Sequence, residues 1–265
     1  ALDISGDIDV DGTSNLDIVD VDVSLDVNGT IKLDGNYPNG SNNVALGNGA
    51  LDGSLSGTGL NVAIGDSAMT KNTSGQENTA VGRLAMGCNT TGSYNAAFGT
   101  NTMQSNTEGE ENTAFGMQAM NANTTGDGNS AVGSNSLGAN ISGSSNTAVG
   151  KRSLKTNTTA SNNTAVGFDS LCANTTGGAN TALGRQSLKL NTTAANNVAV
   201  GNNSLASNTT GANNTALGAE SLDTNTEGAD NVAVGYIALG ANTTGVQNVA
   251  VGSLALDANT TANNN

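Results

Sequence analysis

The sequence predicts an all-β chain, a parallel β-solenoid or β-roll of 17-residue coils, and three observations carry that prediction. A five-residue phrase of the form Asn163-Thr164-Ala165-Val166-Gly167 returns thirteen times. Its copies begin at Asn43, Asn61, Asn78, Asn95, Asn112, Asn129, Asn146, Asn163, Asn180, Asn197, Asn214, Asn231 and Asn248. The first spacing is 18 residues and every later one is 17, the fixed period of units that bury their apolar residues only by stacking. The composition suits a thin fold: aromatics are 2%, tryptophan and histidine are absent, and 36 glycines stand against one proline, Pro38. Finally, each unit holds β-branched residues, glycine and several Asn or Thr, with no apolar stripe of helical period. A disordered chain of this polarity would not keep Val, Leu and Met in register over so many copies.

Three parts follow in order. Residues 1–34 alternate in stretches such as Asp7-Ile8-Asp9-Val10-Asp11 and Val19-Asp20-Val21-Asp22-Val23. A period of two puts Ile, Val and Leu on one face and Asp on the other, which predicts half-buried strands punctuated at Gly6, Gly12 and Gly29. No Asp-x-Asp-x-Asp-Gly loop with a closing Glu is present, so these aspartates read as a solvated strand face and not as calcium ligands. Residues 35–42, with Pro38, form a turn-rich linker. Residues 43–265 are the solenoid, whose first copy is irregular, as terminal repeats often are. The chain opens at Ala1 without a methionine, and Asn265 would start a fourteenth copy, so a piece of a longer protein is expected.

Within each coil, counted from the leading Asn, the third position is always Ala and the fifth always Gly. The fourth is Val, Leu, Ile or Phe, and the ninth is Leu or Met. Two short strands are predicted per coil, at the second to fourth and the seventh to ninth positions, with turns at the fifth and from the eleventh to the sixteenth. Asparagines recur at the twelfth position: Asn72, Asn89, Asn106, Asn123, Asn140, Asn157, Asn174, Asn191, Asn208, Asn225, Asn242 and Asn259. Identical amides one coil apart predict a hydrogen-bonded ladder. Gly82, Gly99, Gly116, Gly133, Gly150 and Gly167 are predicted at the coil corner, where only glycine takes the backbone conformation.

The fourth and ninth positions are expected inside the coil, with Met69, Met86, Met103, Met120, Phe98 and Phe115 widening its N-terminal third. Alternation along the strand then turns the third position outward. Ala80, Ala97, Ala114, Ala131, Ala148 and Ala165 are accordingly expected against a neighbouring copy of the chain. A narrow coil buries few apolar atoms for each residue it orders, which also favours an oligomer.

Catalytic chemistry finds no footing. Without histidine the chain cannot assemble a Ser-His-Asp or Cys-His arrangement or a histidine-ligated metal site. Glycines spaced 17 apart and not followed by Lys-Ser or Lys-Thr are no phosphate loop. Glu108, Glu110 and Glu111 read as a solvated turn. No enzyme, cofactor or metal is expected. A net charge of −14 argues against nucleic acid as partner. The five basic residues Lys151, Arg152, Lys155, Arg185 and Lys189 gather in three successive coils; they read as a solvated face, with acidic polysaccharide as the functional alternative. Cys88 and Cys172 stand five coils apart, about 24 Å at one strand spacing per coil, too far for a disulfide. No apolar run reaches the length of a membrane span, so membrane insertion is not expected.

The unit Asn-Thr-Ala-Val-Gly-x-x-Ser-Leu-x-x-Asn-Thr-Thr-Gly, over residues 43–265, resembles the head repeats of trimeric autotransporter adhesins of the YadA type, which carry a related Ser-Val-Ala-Ile-Gly phrase at a shorter period. Its 17-residue form is also similar to repeats of phage tail-fibre proteins, and Leu2–Thr13 is similar to strand-rich shaft segments in fibres of marine phages. The resemblance implies a left-handed β-roll with three chains around one axis, a homotrimer. It further implies a structural fibre shaft, extracellular and on a virion tail, that holds a receptor-binding region toward the host. Other fibre or tail proteins, and a host surface polysaccharide or protein, would be its partners. The alternative is a bacterial surface adhesin head binding matrix or glycan. An ice-binding solenoid ranks below both, because its usual surface needs threonines one residue apart, whereas those at the thirteenth and fourteenth positions are adjacent and point opposite ways.

Overall fold

A computed structural model describes residues 42–53 and 59–265, so the expected Asp-rich strands of 1–34 and all but the last residue of the 35–42 linker lie outside the described residues. Thirteen three-residue strands run from β1 (Val44–Leu46) through β8 (Thr164–Val166) to β13 (Val249–Val251). They form one parallel sheet in strict chain order, each strand hydrogen-bonded only to those before and after it. Register is in phase with the repeat: Thr164 lies opposite Thr181, Ala165 opposite Ala182, and Val166 opposite Leu183. The array is therefore a parallel β-solenoid whose coils meet only their neighbours. Among the described residues no helix is long and apolar enough to cross a membrane.

The strand at the second to fourth positions forms as expected, but its faces are reversed. The third-position alanines, among them Ala80, Ala97, Ala114, Ala131, Ala148 and Ala165, are fully buried inside their own coil and cannot face another chain. Val or Leu at the fourth position points outward, as do Phe98 and Phe115, which stack ring on ring at 4.6 Å on the outside of the sheet. The leading Asn decides the phase. Its side chain is buried and bonded within the coil, as Asn180 Nδ2 donates to Ala194 O, and alternation then sends the third position inward and the second and fourth outward. Only a methyl group fits there, because Leu or Met from the ninth position and two asparagine amides already occupy the interior. The constancy of Ala reflects a narrow inside, not a neighbouring molecule. The methionines, Met69, Met86, Met103 and Met120, do lie in the core.

The expected second strand at the seventh to ninth positions is absent; the chain runs there as continuous turns. In a strand the eighth and ninth side chains would point to opposite faces, yet Ser170 and Leu171 are both fully buried. The backbone achieves this with left-handed residues on either side, Asp169 at φ 56° and Leu171 at φ 51°, and the same pair recurs along the array. Main-chain bonds still join the coils: Asp169 N–H donates to Lys151 O in the coil before (3.2 Å) and Leu171 N–H to Ser187 O in the coil after (2.9 Å). Left-handed conformation is unfavourable for Leu and Met in isolation. Stacking holds it here, since each such residue is locked between two copies of itself.

Glycine at the fifth position is required on two counts. At Gly167 the backbone lies at φ +135°, and a Cβ would stand 2.4 Å from the Gly184 carbonyl oxygen of the next coil. Neither the conformation nor the approach admits a side chain.

Candidate functional site

Two buried asparagine columns and two exposed surfaces are the places where this fold concentrates chemistry. In the twelfth-position column, each amide donates to the amide oxygen one coil earlier without a break from Asn259 down to Asn72. Asn89 Nδ2 to Asn72 Oδ1 is 2.9 Å and Asn157 Nδ2 to Asn140 Oδ1 is 2.9 Å. The end rung, Asn259 Nδ2 to Asn242 Oδ1, is 3.2 Å. The residues from Asn72 to Asn242 are fully buried. The leading asparagines form a second column of another kind: the backbone N–H of Asn78 donates to Asn61 Oδ1 at 2.9 Å, and so on along the array.

The two columns meet at one atom. Gly92 O accepts from Asn78 Nδ2 and from Asn89 Nδ2 of its own coil, both at 2.9 Å. That carbonyl, at the fifteenth position, ties the end of each coil to its beginning. A Cβ at Gly92 would sit 2.4 Å from Gly109 O, so small residues prevail there. The buried polar interior is nearly fully satisfied: among the described residues one buried side-chain atom, Asn101 Oδ1, has no hydrogen-bond partner. The thirteenth-position threonines are consumed in the same way, Thr90 Oγ1 donating to Thr107 O at 2.9 Å. The sequence singled out the twelfth-position asparagines by their invariance. That the leading asparagines close the coil through the fifteenth-position carbonyl has no one-dimensional signature.

The first exposed surface is the outer face of the sheet. The fourth-position residues stand in one apolar column, one per coil. Val81, Phe98, Val200 and Val234 are half-buried, while the others run from 36% exposed at Ile64 to 49% at Leu46 and 70% at Val251 near the chain end. Thr or Val at the second position, with Ala96 and Ser130 the exceptions, flanks them. In the single chain this column faces outward along its length, a contiguous apolar strip of the kind that marks an interaction face.

The second surface lies on the turn segment after the corner glycine, in the coils that begin at Asn146, Asn163 and Asn180. Arg152 grips Asp169 of the next coil with Nε to Oδ1 at 2.6 Å and Nη2 to Oδ2 at 2.5 Å. Its guanidinium lies 5.1 Å from the centre of the Phe168 ring. This two-pronged pairing allows the Asp169 carboxylate to be buried. Beside it, burial and then the Asp169 charge push the Cys172 thiol above its ordinary value, while Arg152, and less so Lys155 and Lys189, pull it back. Cys88 and Cys172 are both free.

Glu108, Glu110 and Glu111 stand exposed on one turn. Among the described residues no group of three or more Cys, Asp or Glu is placed to hold a metal ion. Comparison with family models, with curated proteins and with solved structures finds no match to this chain. The function must therefore be argued from these surfaces.

Proposed function

We propose that this chain is a structural fibre shaft of the phage tail-fibre kind, assembled as a homotrimer, which holds a receptor-binding region away from the particle that carries it. The observation that carries the proposal is the outward-facing apolar column at the fourth position, in register from Leu46 to Val251. Burying that column against the same column of parallel neighbours removes from water one apolar side chain per coil and chain. Residue-for-residue register along the array means that one contact, once formed, repeats at every coil. Thirteen coils at about 4.8 Å extend roughly 60 Å, a spacer braced from within by its asparagine columns. Three chains is the number that the likeness to adhesin heads implies. Length and stiffness are the properties such a spacer needs.

Sedimentation equilibrium tests this. The expected mass is three times the 26.0 kDa of one chain. The double substitution Val149→Lys and Val166→Lys, both on the outer face, should reduce it to one chain with the far-UV circular dichroism kept. A wild-type chain sedimenting as a monomer overturns the proposal, and a dimer overturns the three-fold arrangement.

A further inference from the structure

The charge of this chain is segregated along the solenoid. From Lys151 to Lys189 there are five cations and one carboxylate, Asp169. Residues 42–150 carry seven carboxylates against two cations, and residues 190–265 carry five carboxylates and no cation. The solenoid places these cations in two columns. Lys151, Phe168 and Arg185 hold the sixth position of three successive coils, and Lys155, Cys172 and Lys189 hold the tenth. In both columns the cations stand on the outer coils with an uncharged residue between them, about 10 Å apart along the axis at one strand spacing per coil. Arg152 is committed to Asp169, so its charge is cancelled in place. Among the described residues Lys151, Lys155, Arg185 and Lys189 enter no ion pair. Of these four cations, Lys151 and Arg185 stand one coil before and one coil after Phe168 in its own column, and Phe168 is 40% exposed and steadied by the Arg152 guanidinium.

We infer that this three-coil patch is a binding site for an acidic polysaccharide bearing one carboxylate on every second sugar. An exposed aromatic ring offers a face on which the apolar C–H side of a sugar packs, and Lys and Arg at either end pair with carboxylates. The roughly 10 Å step between cations suits charges borne on alternate sugars. Nucleic acid, with one charge per about 1.7 Å of duplex, would overrun the patch into acidic coils on both sides and be repelled. The surface lies on the turn segment and not on the outer face of the sheet, so it is distinct from the fourth-position column. This goes beyond the spacer role: part of the shaft would itself hold a glycan, whatever the oligomeric state.

The test is fluorescence anisotropy of a labelled hyaluronan oligosaccharide, in which a uronate alternates with a neutral sugar, titrated with the whole chain at low salt. Saturable binding that weakens as salt is added is expected, with none to neutral dextran. The exposed pair Lys151→Ser and Arg185→Ser should weaken it by about tenfold or more. Phe168→Ser should weaken it several-fold while leaving the salt dependence in place. Lys71→Ser with Arg83→Ser, elsewhere on the array, should change nothing. Circular dichroism of each variant confirms that the solenoid is intact. Absence of binding by the wild type, equal binding to dextran, tighter binding to single-stranded DNA of similar length, or an unaffected Lys151 and Arg185 variant would each overturn the inference. Since the readout is ligand binding and not mass, its failure is separate from failure of the trimer.

Discussion

Replacing Asn157 by alanine removes three buried hydrogen bonds at one stroke. Asn157 Nδ2 donates to Asn140 Oδ1 and to Ala160 O, both at 2.9 Å, and its Oδ1 accepts from Asn174 Nδ2 at 2.9 Å. The groups left behind do not fare alike. Ala160 O keeps its bond from Asn146 Nδ2, and Asn174 Nδ2 keeps its bond to Gly177 O. The orphaned atom is Asn140 Oδ1, deep in the array. A buried acceptor without a partner costs about 1–3 kcal/mol, and each of the other two bonds contributes about 1 kcal/mol net. The expected loss is about 4 kcal/mol. Asn259, partly exposed at the end of the same column, makes bonds of 3.2 Å to Asn242 and to Ala262. Water can replace both, so Asn259→Ala should cost about 1 kcal/mol or less. Urea unfolding followed by far-UV circular dichroism measures the two variants side by side. Equal costs, or a cost below about 1 kcal/mol at Asn157, would refute the view that the buried column braces the coils.

Three further expectations follow from the same geometry. Ala165→Leu should destabilise by about 3 kcal/mol, because the coil interior has no room for a longer side chain; a neutral result in thermal melts would mean that the position faces out. Gly167→Ala should cost about 3 kcal/mol through its +135° φ and its contact with Gly184, while Gly128→Asn, at φ +62° where other coils carry Asn or Ser, should be close to neutral. Asp223→Asn should stabilise the chain at pH 7. Burial, then the Glu220 charge, raise the Asp223 carboxyl above 3.8, so the folded state is penalised as pH rises through the raised value. The advantage should vanish below about pH 4, where both folded and unfolded carboxyls are protonated; urea midpoints at the two pH values check it.

The repeat and its period were legible because stacking demands that each coil present the same residue at the same place, and a linear text displays such constraint directly. The strand at Thr164–Val166 was legible too, from its β-branched ends and the glycine that follows. Its facing was not. Ala165 and Val166 each satisfy an alternating pattern, and a reading that ranks positions by hydrophobicity sends the larger one inside. What overrides size is the leading Asn: its amide has bonding partners only in the interior, and that sets the phase of everything after it. The turn at Asp169–Leu171 escaped for a related reason, since period-two reasoning assumes extended backbone. The adjacent small polar Ser170 and apolar Leu171, repeated coil after coil, were the signal that two consecutive residues both point inward.

By itself, then, the amino-acid order determined that this protein is a stack of equal coils, that each coil turns at its fifth-position glycine, and that asparagines run through it in columns. Those properties are periodic, and periodicity is written along the chain. Only the tertiary structure decided which wall of the coil is inside. It placed the apolar column of the fourth position on the outside, bound two asparagine columns to one carbonyl, and set Phe168 between cations more than a coil apart. Each of these depends on distances between residues separated by fourteen or more positions, and such distances exist only once the chain has closed on itself.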